Sequence, residues 1–218
     1  LEKLSAETTV IRFAEYLIRF ALGAGLALVI WNVLGQETSS VATILGSAGL
    51  TLGLAMQGAL SNFAGGVLIL VTKPFKVGDY IKEDSKGNEG RVTEITIFYT
   101  RLTTIDNKEV MVPNGALANT SIVNVTWLPA RRIDFSVGIS YTSDLLKAKE
   151  ILKKTAKEIP GILDKEEPVV FVRSLDDSAV TLGCRFYVET EGYWNALWTL
   201  NEKTKLNFDA QGIEIPYN

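Results

Sequence analysis

The side chains that enzymes use most often for acid–base and metal chemistry are scarce in this sequence. It contains no histidine and one cysteine, Cys184, which stands in a run typical of a buried strand, residues 181–188. The acidic pairs Glu166–Glu167 and Asp176–Asp177 are typical of solvated turns, because two adjacent carboxylates rarely complete a coordination sphere. We therefore expect no catalytic residue, metal ion or cofactor, and we interpret Cys184 as a small core residue.

One stretch of the sequence offers a different chemistry, the control of water and ions by apolar side chains. Residues 41–72 contain no charged residue. On a helical wheel, at about 100° per residue, Leu50 and Leu54 share one narrow stripe. A ring of such side chains in a pore can dewet, so that an ion meets a desolvation barrier without physical occlusion. Leu50 and Leu54 are therefore our candidates for a pore constriction.

Small residues flank this leucine stripe on both sides, while Leu45, Leu52 and Met56 point the opposite way. The glycine flank is Gly46, Gly49 and Gly53, and the hydroxyl flank is Thr43, Ser47 and Thr51. In lipid, small residues let helices approach closely. The wheel thus predicts a ring of identical helices in which the glycine flank of one copy meets the hydroxyl flank of the next. A generic packing face between two helices is the alternative.

The uncharged stretch is too long for one straight membrane helix. At ~1.5 Å per residue it would extend roughly 45 to 50 Å, compared with ~30 Å of hydrocarbon. Gly58 lies near its middle beside Gln57, and glycine supplies the backbone freedom for a break. Residues 59–72 then place their larger apolar side chains mostly on one side, which predicts an amphipathic helix near the membrane interface.

An earlier apolar segment, residues 14–35, has about the ~20 residues needed to cross a bilayer. Arg19 near its start and Trp31 near its end are residue types that favour the membrane interface. A buried helix of a soluble domain is the alternative. Between Arg19 and Lys73 the only charged residue is Glu37.

The later part of the chain is charged throughout and reads as water-soluble. Lys73, Lys76 and Lys82 follow the uncharged stretch, whereas the link before it carries no basic residue. The positive-inside rule therefore places this part in the cytoplasm. The net charge of −3, with no basic cluster longer than Arg131–Arg132, argues against a nucleic-acid partner.

From Pro74 the pattern changes to short strands and then to mixed elements. The predicted strands of a small β barrel are 79–82, 90–99, 101–105, 109–112 and 122–127, with a turn at 113–115. An α+β sandwich follows, with strands 133–141, 169–175 and 180–189 and helices 143–158 and 193–211. We expect the first of these helices to start at Thr142-Ser143-Asp144 and to stop at Pro160–Gly161.

Four stretches closely resemble the signature of the small-conductance mechanosensitive channel family. Two are Leu-Thr-Leu-Gly-Leu-Ala-Met-Gln-Gly-Ala-Leu-Ser-Asn-Phe-Ala-Gly-Gly-Val at 50–67 and Lys-Pro-Phe-Lys-Val-Gly-Asp-Tyr at 73–80. The others are Val-Pro-Asn-Gly at 112–115 and Phe-Asp-Ala-Gln-Gly-Ile-Glu-Ile-Pro-Tyr at 208–217. The resemblance spans nearly the whole chain from about residue 14.

The resemblance implies a membrane protein whose transmembrane α-helices precede a Sm-like β-barrel domain and a ferredoxin-like α+β domain. Residues 1–40 would hold a transmembrane helix, 41–73 a kinked pore-lining helix, 74–128 the β domain and 129–218 a cytoplasmic vestibule. The family pattern adds a further helix before Leu1 and a barrel-forming segment after Asn218. It also implies a homo-oligomer, a heptamer, that lies among the lipids of the prokaryotic cytoplasmic (inner) membrane. Under membrane tension this channel would release ions and small osmolytes.

The resemblance also assigns roles to particular residues. Leu50 and Leu54 match the constriction rings and the glycine flank matches the packing face. Gly58, beside Gln57, matches the kink, with Asn62 and Gly66 on the half-helix that follows it. The hydroxyl flank departs from the family pattern, which usually has alanines there.

Two other classes of membrane protein remain as alternatives. A transporter is disfavoured because the pore stretch holds no ionisable residue that could couple a proton or a substrate. A membrane-tethered sensor, whose soluble part binds a ligand, stays open as the second alternative. An enzyme is the least favoured class.

Overall fold

The computed structural model describes residues 2–35, 39–163 and 167–217 of the chain. The chain divides into two compact units, Leu1–Ser61 and Asn62–Asn218. The helices are α1 (Glu2–Val33), α2 (Ser39–Ala55), α3 (Gln57–Thr72), α4 (Asn114–Ala118), α5 (Leu145–Lys157) and α6 (Tyr193–Ala210). The strands are β1 (Tyr80–Glu83), β2 (Glu89–Ile95), β3 (Tyr99–Thr103), β4 (Glu109–Pro113), β5 (Ile122–Asn124), β6 (Ala130–Ile139), β7 (Val169–Leu175) and β8 (Val180–Glu189).

The first unit contains α1, α2 and the start of α3. The predicted membrane segment 14–35 lies mostly in α1, whose apolar part runs from Ile18 to Val33. Among the described residues no single helix has both the length and the apolarity to cross a bilayer, whereas α2 and α3 taken together do, with a bend of 64° between them. Membrane crossing by α1 therefore stays a prediction. Glu37 lies outside the described residues.

The second unit begins with a β domain. Its antiparallel sheet has the order β4-β3-β2-β1-β5, and alternate apolar side chains point into one core. The buried core residues are Ile69, Phe75, Ile81, Val92, Leu102, Val112 and Leu117. The long predicted strand 90–99 is wrong in its second half, because Thr96 turns the chain by donating its N–H and hydroxyl to the Tyr99 carbonyl at 2.8 and 2.7 Å. The predicted turn at 113–115 is also wrong, since α4 begins at Asn114.

A buried carboxylate organises the turn between β1 and β2. Glu83 is only 2% exposed, and its oxygens accept hydrogen bonds from the Ser85 hydroxyl at 2.5 Å, the Lys86 N–H at 3.0 Å and the Asn88 amide at 2.7 Å. The hydrogen bond from Ser85, helped by the backbone donors and opposed by burial, lowers the pKa of Glu83 to about 2. The charged form of Glu83 therefore stabilises this turn.

The α+β region follows in the order β6-α5-β7-β8-α6. The antiparallel sheet has the order β6-β8-β7, and α5 and α6 cover one of its faces. Asp144 caps α5 by accepting the N–H groups of Leu146 and Lys147, both at 3.0 Å, which confirms the predicted helix start. The prediction that Cys184 is a core residue is also confirmed. Its side chain is fully buried in this core, and burial raises the pKa of the thiol to about 12.

Replacing Glu83 tests the role of this carboxylate through the pH dependence of stability. The pKa in the folded state lies below its ordinary value of 4.5, so the stabilisation is complete above that pH and disappears as the pH falls towards 2. We expect Glu83→Gln to lower the free energy of unfolding by about 1 to 3 kcal/mol near neutral pH. This difference should shrink towards zero near pH 2, measured by thermal denaturation of the purified chain across that range.

Glu89→Gln is the matched control, because Glu89 is an exposed carboxylate on the adjacent strand, 3.8 Å from Lys82. Its effect on stability should stay within about 0.5 kcal/mol at every pH. A Glu83→Gln variant whose deficit is the same at low and neutral pH would contradict the assignment of a charged carboxylate to this turn.

Candidate pore-lining segment

The candidate constriction residues lie one turn apart on α2. Leu50 is 66% exposed and Leu54 is 63% exposed. None of the residues of α2 is buried within the chain, although the helix carries no charge. An uncharged helix that exposes this much apolar surface is stable only where lipid or another protein surface covers it. The candidate constriction therefore lies on a helix whose apolar surface is left uncovered by the described residues.

The glycine flank of α2 faces open space. A Cβ atom placed on Gly46, Gly49 or Gly53 would meet no atom within 4 Å. Packing against the described part of the chain therefore does not require glycine at any of the three positions. This result favours a role for the glycines in a contact with a neighbouring helix, where the absence of a side chain lets two backbones approach.

The hydroxyl flank has already used its hydrogen-bond donors within the helix. The hydroxyl of Thr43 donates to the carbonyl of Ser39 at 2.8 Å, that of Ser47 to Ile44 at 2.9 Å and that of Thr51 to Ser47 at 2.9 Å. A hydroxyl bonded in this way can lie in an apolar environment without an unsatisfied donor. The flank therefore offers a neighbouring helix a small surface without a free donor.

The break in the uncharged stretch occurs at Met56. Hydrogen bonds continue across it, from the N–H of Met56 to the carbonyl of Leu52 and from the N–H of Leu60 to the carbonyl of Met56, both at 3.0 Å. Gln57 and Gly58 are the first two residues of α3. A Cβ atom on Gly58 would meet nothing within 4 Å, so crowding at Gly58 does not cause the bend. The role of Gly58 as a hinge stays a prediction.

The second half of α3 packs on the β domain. A Cβ atom on Gly65 would lie 2.5 Å from the carbonyl oxygen of Asn114, and one on Gly66 would collide with the carbonyl of Ile97. The side-chain oxygen of Asn62 accepts the N–H of Gly115 at 3.0 Å. We call these residues of α3, namely Asn62, Gly65, Gly66 and the buried Ile69, the dock.

The dock rests on a buried side chain of the β domain. Asn114 is fully buried, accepts the Thr100 hydroxyl at 2.8 Å and donates its amide to the Thr96 carbonyl at 2.8 Å. The sequence analysis places Asn62 and Gly66 on the half-helix after the kink, and in the structure both belong to the dock. Gly65 and Asn114 were not predicted as functional residues, and the signal for Asn114 was the Pro-Asn-Gly motif at 113–115, which we interpreted as a turn.

Comparison with known proteins identifies both parts of the second unit. Residues 58–127 match the model of the mechanosensitive ion channel β-domain, and residues 133–215 match that of the mechanosensitive ion channel MscS C-terminal region. A small-conductance mechanosensitive channel of Edwardsiella ictaluri is 36% identical over 100% of this chain and 75% of its own length. The chain belongs to the MscS family. An uncharacterized MscS family protein of Buchnera aphidicola is likewise 36% identical, over 97% of this chain and 74% of its own length.

Solved structures agree with membership of the MscS family. The closed-state MscS of Helicobacter pylori superposes with a TM-score of 0.79 at 31% identity, over 88% of this chain and 75% of that chain. Arabidopsis thaliana MSL1 superposes with a TM-score of 0.77 over 100% of this chain and 80% of that chain, and at 21% identity it supports the fold alone. The resemblance to this family of ion channels is confirmed, as are the β domain and the α+β region. The family is one of channels, not of enzymes.

A substitution at Gly66 tests the dock. Gly66→Ala forces the added methyl group against the Ile97 carbonyl, and we expect a loss of about 1 to 3 kcal/mol in the free energy of unfolding. Backbone amides in the second half of α3 should exchange hydrogen faster, measured by mass spectrometry on the purified chain. Gly23→Ala is the matched control, since that helical glycine has open space around it. Equal effects of the two substitutions would contradict the close approach at Gly66.

Proposed function

We propose that this MscS family chain is one subunit of a mechanosensitive ion channel that opens when membrane tension rises. Open channels would release ions and small osmolytes, with weak selectivity, during hypo-osmotic shock. The observation that carries the proposal is α2, an uncharged helix with no buried residue and with Leu50 and Leu54 on one stripe. Relatives that carry the name small-conductance mechanosensitive channel support it.

The assembly in this proposal is a homo-oligomer, a heptamer, with α2 of each copy around the pore. Each glycine flank meets the hydroxyl flank of the next helix, and the bulky face of α2 points towards lipid or outer helices. Open space around the glycines and the internally bonded hydroxyls support this packing. Larger β-branched Thr51 would set a wider helix spacing than alanine does.

The membrane in this proposal is the prokaryotic cytoplasmic (inner) membrane, with the second unit in the cytoplasm. The apolar part of α1 and the bent pair α2 and α3 would lie among the membrane lipids. Lys73, Lys76 and Lys82 support this orientation, because they follow the uncharged stretch at once. Within the second unit we propose a Sm-like barrel and a ferredoxin-like vestibule domain. The strand orders β4-β3-β2-β1-β5 and β6-β8-β7 support these assignments.

Gating follows from the physics of a hydrophobic constriction. In the closed state, rings of Leu50 and Leu54 exclude water, and an ion would have to lose its hydration shell to pass. Tension favours whichever state occupies more membrane area, so the pore helices would tilt and separate until water enters. The smooth flanks let neighbouring helices slide past each other as this happens.

The tilting of α2 would take place at the bend near Met56. The dock holds the second half of α3 on the β domain through Asn62, Gly65 and Gly66. Reorientation of α2 would therefore require backbone rotation near Met56, and Gln57 and Gly58 lie beside that point. We propose that these residues form the hinge.

Replacing one constriction leucine tests the proposed pore. We expect Leu54→Ser to hydrate the constriction and to raise the open probability at zero applied tension at least tenfold, because a hydroxyl removes part of the dewetting barrier. The measurement is single-channel recording from liposomes that contain the purified chain.

Leu52→Ser is the matched control. Leu52 is 57% exposed on the same helix but points away from the leucine stripe, so its substitution should leave the resting open probability unchanged. A Leu54→Ser channel that stays closed at rest, or a Leu52→Ser channel that leaks equally, would remove Leu54 from the constriction.

A further inference from the structure

Basic and apolar side chains are exposed together on the β domain, at the point where the chain leaves α3. The ammonium group of Lys76 lies 5.4 Å from the centre of the Trp127 ring. Trp127 is 54% exposed and Val77 is 60% exposed. Lys73, the first residue after α3, is exposed as well. We call Lys73, Lys76, Val77 and Trp127 the Lys–Trp patch.

The lysine side of the patch stands on a fixed loop. Phe75, between the two lysines, is only 1% exposed and belongs to the core of the β domain. Asp79 joins the loop to the segment that leads to Trp127, because its Oδ2 accepts the N–H of Lys76 at 2.9 Å and the side-chain amide of Asn124 at 2.8 Å. Neighbouring contacts therefore hold the lysine and tryptophan segments together.

The tryptophan side of the patch is fixed by its backbone neighbours. The hydroxyl of Thr126 accepts the N–H of Tyr80 at 2.9 Å, and the hydroxyl of Thr190 donates to the carbonyl of Leu128 at 2.6 Å. The backbone is thus held on both sides of Trp127 while more than half of its side chain stays exposed. A large apolar side chain presented on an ordered surface beside other exposed apolar groups indicates a partner.

The charges around Lys76 favour an anionic partner. Lys73 and Lys76 are joined by Arg91, whose guanidinium donates to the carbonyl of Gly78 at 2.5 Å. The acidic residue of this loop is Asp79, and its Oδ2 already accepts two hydrogen bonds. Basic groups therefore outnumber acidic ones here, and the remaining surface of the lysines is available to an anion.

Acidic residues lie beyond the other end of the patch. Glu189 and Glu191 flank Thr190, which contacts Leu128, the residue after Trp127. These carboxylates would repel an anion that approached from that side. The favourable position for an anion is therefore beside Lys76 and Lys73, next to the end of α3.

A bilayer surface fits both the charge and the apolar groups of the patch. Tryptophan favours the level of the lipid headgroups, and lysine lays its aliphatic stem along apolar surface while its ammonium group reaches polar groups. Anionic lipids of the cytoplasmic leaflet attract basic residues that follow a membrane segment. A free phosphate ion would match the lysines but would leave Val77 and Trp127 uncovered.

We propose that the Lys–Trp patch binds the headgroups of anionic phospholipids. Lys73 and Lys76 contact the phosphate oxygens, and Trp127 and Val77 lie against the glycerol end of the acyl chains. One copy supplies few charges, but in the proposed oligomer the patch recurs in every subunit, so the bilayer meets a ring of basic groups. The inference rests on the proposed membrane location and adds to it a lipid site on the β domain.

Fluorescence quenching by brominated lipids tests the contact. The full chain with Trp31→Phe, Trp194→Phe and Trp198→Phe keeps Trp127 as its one tryptophan. It would be reconstituted in liposomes of phosphatidylcholine and phosphatidylglycerol, with bromine on the acyl chains of one lipid at a time. We expect brominated phosphatidylglycerol to quench Trp127 at least twofold more strongly than the same fraction of brominated phosphatidylcholine.

Two further variants separate failure of this site from failure of the channel proposal. One keeps only Trp31, on the apolar part of α1, and both brominated lipids should quench it. The other keeps only Trp198, on α6, and neither lipid should quench it. Quenching of Trp31 without quenching of Trp127 would overturn the lipid site and leave the channel proposal intact. An unquenched Trp31 would contradict the membrane location and therefore both proposals.

A charge substitution tests recognition of the headgroup. In the variant that keeps only Trp127, Lys76→Gln should bring the ratio of quenching by the two lipids close to one, and added salt should lower that ratio in the unsubstituted chain. Lys86→Gln is the matched control, because Lys86 is an exposed lysine in the turn between β1 and β2, and it should leave the ratio unchanged.

Equal quenching by the two lipids before any lysine is replaced would overturn the preference for an anionic headgroup. The same fall with Lys86→Gln as with Lys76→Gln would also overturn it, since the effect would then follow net charge alone. Soluble glycerol phosphate should leave the quenching of Trp127 unchanged. Relief of quenching by this anion would show a site for soluble phosphates and would overturn the assignment to a lipid surface.

Discussion

The rest of this structure depends on one constraint, the large apolar surface that the charge-free helix α2 exposes. All of its residues are exposed within one chain, and the hydroxyl groups of Thr43, Ser47 and Thr51 donate to carbonyls of the same helix. A surface of this kind is costly to leave in water, and in the proposed channel lipid and other copies of the helix would cover it. The open space around its glycines supports such a contact, since it leaves room for a neighbouring backbone.

The packing of the uncharged stretch changes at the dock. The residues of α2 are exposed, whereas the second half of α3 packs on the β domain. Gly65 and Gly66 are needed because carbonyl groups of the β domain approach the helix there, and Asn62 supplies the polar contact. The glycines of α2 thus face open space, whereas Gly65 and Gly66 of α3 face the carbonyl groups of the β domain. In the proposed channel this change of packing would join the membrane segment to the β domain, and the bend at Met56 would lie between them.

Much of the fold could be predicted from the sequence because its signals are local. The bounds of β7 and β8 agree with the predicted strands 169–175 and 180–189, the first an apolar run and the second an alternation of apolar residues. The start of α5 follows from the capping side chain of Asp144. The features that escaped prediction depend on residues far apart in the chain. Asn114 looks like a turn residue until the helix that covers it is known, and Glu83 looks like a surface charge until its donors surround it. The leucine stripe was visible on a helical wheel, but one chain does not contain the ring that would give Leu50 and Leu54 their role.

Recording current under suction tests the central claim, that tension opens a pore lined by α2, more directly than any other measurement. The oligomeric state of the wild-type chain would first be checked by light scattering. The chain would then be reconstituted in liposomes and held at constant voltage while suction increases. The account predicts discrete current steps that are absent at rest and whose open probability rises steeply with tension. Silence up to the tension at which the membrane ruptures, or current steps that ignore suction and follow a soluble ligand, would contradict it.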